Sequence, residues 1–194
     1  MDSKSNWYDG IAKQISQLKN TLSEKDYKKY KLRLLLCAAE RVVELSSECG
    51  QCQIFQQDIS TLTQDVGNII QIGDKDKRKA HLKTIKGIID HLRKQHKLVT
   101  EGYYMGIWMA IGAGIGVALG AAIGNVGSGI PIGSGIGTGI GATLDAKAKK
   151  EGRVICPSEK TTSSPRRTKL MILIGLGVLV MAGLVAFFLV RRLT

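Results

Sequence analysis

Residues 102–144 read GYYMGIWMAIGAGIGVALGAAIGNVGSGIPIGSGIGTGIGATL, forty-three consecutive positions without a charged side chain. Within them Gly112, Gly116, Gly120 and Gly124 recur every fourth residue. After Asn125-Val126-Gly127-Ser128, Gly129, Gly133, Gly137 and Gly141 do so again. Large aliphatic residues keep the same period: Ile107, Ile111, Ile115, Leu119 and Ile123, then Ile132, Ile136, Ile140 and Leu144. On a 3.6-residue helix each set forms one slowly drifting stripe, so each half carries a smooth glycine groove and a separate aliphatic ridge. In water, fourteen glycines at about 1 kcal/mol each against alanine would melt such a helix. In hydrocarbon the backbone must satisfy its own hydrogen bonds, so helix is the remaining option. The missing side chains then let two helices approach closely.

A 30 Å hydrocarbon core needs about 20 helical residues. The run therefore predicts a membrane hairpin over 102–145 with spans at about 103–124 and 129–145. Pro131 is expected in the first turn of the second helix, where its missing N–H costs nothing, and Tyr103, Tyr104 and Trp108 at the entrance. With Ser134, Thr138 and Thr143, the second half is marginally apolar. It is expected to rely on the first half or on a neighbouring chain, or to be re-entrant. The doubled GxxxGxxxGxxxG at 112–124 and 129–141 resembles the glycine-zipper transmembrane segments of small bacterial membrane proteins, some of them channel-forming or toxin-like. The resemblance implies close helix packing through these eight glycines and self-association.

A second uncharged run, Leu170–Val190, reads as a transmembrane helix. It is flanked by Arg166, Arg167 and Lys169 and by Arg191 and Arg192, which are expected to meet anionic lipid headgroups. Residues 146–169, basic and rich in Ser, Thr and Pro, read as a flexible linker. Of the net +12, most brackets the apolar runs, and the interleaved aromatics that nucleic-acid binding would need are missing. Counting basic residues puts head and linker in the cytoplasm and the C-terminus outside, in a multi-pass protein of the cell (inner) membrane.

Residues 1–100 show helical periodicity throughout and predict an antiparallel bundle. Trp7, Ile11, Ile15, Leu18 and Leu22 mark a first helix. Ser23 with Asp26 caps a second, which carries Leu32, Leu35, Leu36, Ala39, Val42, Val43 and Leu45 as far as a break at Gly50. Ile54 to Ile70 form a third, and a fourth begins at Asp74 or Asp76. The fold class is all-α: bundle, hairpin, terminal transmembrane helix.

No nucleophile elbow, phosphate-binding loop or metalloprotease helix is present, and no catalytic constellation is expected. With no secretory leader, the four cysteines are expected to be reduced. Cys37 would be a small buried hydrophobe and Cys156 an idle thiol or, less simply, a palmitoylation site. Cys49 and Cys52 differ, because a CxxC at a turn has the spacing of half a zinc site. In an antiparallel bundle the end of the fourth helix returns to that turn and brings His91 or His96 close, so the spacing allows a Cys2His2-like zinc site as the alternative to the leading expectation of no cofactor, with the histidines simply exposed on an amphipathic helix. The functional expectation is a self-associating membrane protein whose cytoplasmic head is an interaction, scaffold or regulatory module with a protein partner. The alternative is an oligomeric pore.

Overall fold

The computed structural model describes residues 3–157, which form one compact unit. The linker from residue 158, the proposed span 170–190, and Arg166, Arg167, Lys169, Arg191 and Arg192 lie outside the described residues. Seven helices follow in order: α1 (Ser3–Thr21), α2 (Glu24–Lys29), α3 (Leu32–Leu45), α4 (Gly50–Ile72), α5 (Lys75–His96), α6 (Tyr103–Ala122) and α7 (Val126–Lys150). Apart from a single bridge between Val99 and Val154, the described chain is helical or turn.

The head packs α1, α3, α4 and α5 around one core. Ile11 and Ile15, Leu32, Leu35 and Val42, Ile59 and Val66, and Ile85, Ile88 and Leu92 are among its buried residues from those four helices. These are the apolar stripes that the periodicity marks. Local chemistry sets the boundaries. Ser23 accepts from the Asp26 N–H at 3.1 Å to start α2, Gly73 ends α4 with φ +71°, and Asp74 accepts from the N–H groups of Asp76 and Lys77 to start α5.

The expected single helix from Ser23 to Gly50 is broken. Lys31 takes the left-handed conformation, φ +53°, and separates the six-residue α2 from α3. The kink turns Tyr30 into the core, 2% exposed, where its carbonyl accepts from His81 Nε2 at 3.1 Å. Gly50 starts α4 rather than ending the previous helix, so Cys49 sits beyond α3 as the N-cap of α4.

Helices α6 and α7 form an antiparallel pair with a glycine seam. A Cβ at Gly112 would collide with the Gly133 carbonyl, and one at Gly116 with the Gly129 carbonyl. One at Gly137 would strike the Trp108 carbonyl, and one at Gly141 the backbone of Met105. At Gly120 it would lie 2.8 Å from both Asn125 O and Val126 Cα. Each step of four along α6 is matched by a step of four back along α7. Gly124 departs from the expected packing set: it has φ +73° and nothing within 4 Å, because it forms the turn that reverses the chain. Asn125 then caps α7 by accepting from the Ser128 N–H at 3.1 Å.

Two further expectations need correction. Helix α7 starts at Val126, so Pro131 lies inside it, where the Gly127 carbonyl loses a donor. The helix also runs on to Lys150, and residues 151–157 fold back on the head instead of continuing as a free linker. Val99 N–H donates to Arg153 O at 2.8 Å and Ile155 N–H to Val99 O at 2.9 Å. Ile155 is 1% exposed within the head core.

Candidate metal centre

Four side chains of the expected set meet at one end of the head. Cys49 is the N-cap of α4 and Cys52 lies in its first turn, while His91 and His96 occupy the last two turns of α5. Their ligand atoms all lie within 4.8 Å of one another. Cys49 Sγ is 3.4 Å from His91 Nε2, and Cys52 Sγ is 3.6 Å from His91 Nε2 and 3.5 Å from His96 Nε2. Cys52 is fully buried, whereas Cys49, His91 and His96 are half-buried. The rings are held in place: His91 meets Phe55 edge-on at 5.2 Å and His96 at 5.3 Å.

This group could hold a metal ion, and the distances suit one. Zinc bonds of about 2.3 Å to sulfur and 2.0–2.1 Å to nitrogen, at a tetrahedral angle, put sulfur and nitrogen about 3.6 Å apart. The three sulfur–nitrogen distances above fall near that edge.

The environment separates the two thiols. Backbone N–H groups at the start of α4, that of Cys52 foremost, lower the pKa of Cys49. Burial first, and then the neighbouring Cys49, push Cys52 up to about 12. Burial and the nearby His96 lower His91, favouring the neutral imidazole that a metal needs. A bound divalent cation would reverse the penalty on Cys52 by balancing two thiolates.

The structure also contains a feature that sequence reasoning did not find. Cys37 and Cys156 form a disulfide with Cα atoms 5.3 Å apart, which overturns the expectation that both are reduced. Their separation is 119 residues, so no local pattern announces the pair. The physical cause is the fold-back of 151–157, which lays Cys156 beside α3. Arg41 donates to the carbonyls of Gly152 and Val154, and Arg33 to that of Pro157. At the base of the hairpin Asp145 accepts from the N–H groups of Tyr104 and Met105 at 3.1 and 3.0 Å, capping α6 from its partner helix. Arg93 donates to the Tyr103 hydroxyl at 2.7 Å. The four-residue register could have revealed Asp145, since it sits one step beyond Gly141.

Comparisons with known proteins find no matching family model, no matching curated protein and no matching solved structure.

Proposed function

We propose that this chain is an integral membrane scaffold: a zinc-organised helical head carried on a glycine-packed hairpin that lies in the bilayer. The observation that carries the reading is that the hairpin is inside out for water. Glycines fill its seam, while Ile115 (55% exposed), Leu119 (62%), Ile132 (64%) and Ile136 (62%) face outward. A water-soluble hairpin would bury those residues against each other. In lipid the same side chains are solvated, and glycine contact supplies the helix–helix attraction. Among the described residues one helix, Tyr103–Ala122, is long and apolar enough to cross a membrane, with mean hydropathy 1.7. Helix α7, with Ser134 and Thr138, joins it through the seam.

Zinc is the metal that the donor set selects. Two thiolates and two imidazoles give a closed tetrahedral site with no open position, so its role is structural rather than catalytic. The head then acts as a rigid platform for a cytoplasmic protein partner, and the chain self-associates in the membrane. The Thr138 and Thr143 hydroxyls donate to the carbonyls of Ser134 and Ile140 in their own helix. Hydroxyls satisfied in this way need no water-filled lumen, which favours the scaffold over the pore.

Labelling the full chain in bilayers with a lipid-dissolved photoreactive probe tests the membrane reading. Ile115 and Ile136 should be labelled and head residues such as Leu35 should not. Protection of both isoleucines would exclude bilayer insertion of the hairpin, and steady conductance from the purified protein would replace the scaffold with a pore.

A further inference from the structure

The structure assigns a second property to the Cys49–Cys52 pair: it is an oxidative modification site at which small disulfides convert the two thiolates into a Cys49–Cys52 disulfide and expel the metal. This deepens the zinc reading above and rests on it.

Position argues for it first. Cys49 is the N-cap of α4, in extended backbone with φ −133° and ψ 108°, and is half-buried, so an incoming reagent can reach its sulfur. Cys52, three residues on, is fully enclosed and has no route to that reagent except through Cys49. The two sulfurs already lie within 4.8 Å. The proposed bond needs that gap closed to about 2.05 Å by side-chain rotation. One partner accessible and one shielded is the arrangement that thiol–disulfide exchange requires, an attacking sulfur followed by a resolving one.

The chemistry balances. The Cys49 thiolate attacks one sulfur of a disulfide R–S–S–R, forming a Cys49–S–S–R bond and releasing one RS⁻. The Cys52 thiolate then attacks the Cys49 sulfur and expels the second RS⁻. The two cysteines are oxidised by two electrons and the reagent is reduced by two. The metal leaves as a divalent cation, since half of its ligands are gone and two imidazoles remain.

The consequence lies near the membrane. Six residues separate His96 from Tyr103, the first residue of α6, and within them Val99 holds the returning strap through Arg153 O and Ile155 N–H. Loss of the metal frees the last turn of α5, where Arg93 holds Tyr103 at the start of α6. Cys49 oxidation is thus placed to loosen the joint between head and membrane.

The experiment uses the full chain in nanodiscs. Cobalt substitution comes first, because a thiolate-to-cobalt charge-transfer band reports the metal site independently of oxidation. The zinc-loaded chain is then titrated with oxidised glutathione, following zinc with a chromophoric chelator and disulfides by peptide mass spectrometry. The expected result is one zinc released for each pair of thiols lost, a Cys49–Cys52 crosslink, and recovery of zinc binding after a dithiol reductant. Cys52→Ser should instead accumulate a stable glutathione adduct on Cys49. A cobalt band with thiols that stay unreacted in excess oxidised glutathione overturns the modification site and leaves the metal reading intact. Absence of the band overturns both. Zinc loss without the Cys49–Cys52 crosslink, or pairing of Cys49 with Cys37 or Cys156, also overturns it.

Discussion

Cys52 shows how one buried atom can depend on a ligand. Its sulfur is fully buried with two ring nitrogens beside it, and burial alone would keep it protonated. A bound metal would convert this cost into stability, because a site that exists only in the folded state adds its binding free energy to folding. Cys52→Ser is expected to weaken zinc binding by more than about 100-fold, since even groups behind the ligands are worth about 10–100-fold. Competition with a chromophoric chelator measures it, and unchanged affinity would remove Cys52 from the ligand set. His81 is the second residue of this kind. It is 2% exposed, donates from Nε2 to the Tyr30 carbonyl, and leaves Nδ1 unpartnered. Burial holds its pKa below the ordinary 6.5, with the Tyr30 carbonyl opposing in part. The unfolded chain therefore binds the proton more tightly than the folded one. The contribution is fully present above about pH 6.5 and is lost as the pH falls below it. His81→Phe should flatten the decline in urea midpoint between about pH 7 and 5.5. An unchanged slope would assign the decline to other groups.

Among the elements, the hairpin separates two kinds of glycine that composition treats alike. Gly133 has the Gly112 carbonyl and the Gly116 backbone where a Cβ would go, whereas Gly135 and Gly139 have nothing within 4 Å. Gly133→Ala should therefore push the helices apart and lower the thermal stability of the detergent-solubilised chain. Gly135→Ala should be neutral or raise it, by up to about 1 kcal/mol, from helix propensity. Equal effects at both positions would mean that the seam is not as described. The same distinction bears on self-association. The seam glycines are occupied by their own chain, so contacts between copies fall to other surfaces. The eight-glycine set was legible from spacing, and seven of the eight line the seam. Gly124 was not separable by period alone, since its role depends on where the chain turns.

For the whole molecule, the strap of residues 151–157 makes head and hairpin base one body. Ile155 enters the head core, Arg33 and Arg41 grip the strap backbone, and the Cys37–Cys156 disulfide closes a loop across most of the described chain. A disulfide typically contributes about 2–4 kcal/mol. Cys37→Ser should lower the urea midpoint of the head, and reduced wild type should approach the variant. Coincident curves for oxidised wild type and variant would show that the bond adds no stability. The disulfide also bears on topology. A lasting disulfide belongs to an oxidising compartment, whereas the count of basic residues around the apolar runs led to the opposite expectation, a cytoplasmic head. Thiol trapping with a membrane-impermeant maleimide in intact cells decides which side the head occupies.

Periodicity carried the all-α class, the apolar stripes of the head and the paired glycine helices, because each is written in residues three or four positions apart and needs no distant partner. The CxxC turn was legible from its own spacing, and the two histidines only through the expected antiparallel return of the fourth helix to it. Bringing Cys49, Cys52, His91 and His96 within 4.8 Å took the tertiary structure, as did the kink at Lys31 and the return of residues 151–157 to α3. Those features join residues that lie tens of positions or more apart, or hang on one backbone conformation, and neither leaves a repeating mark along the chain.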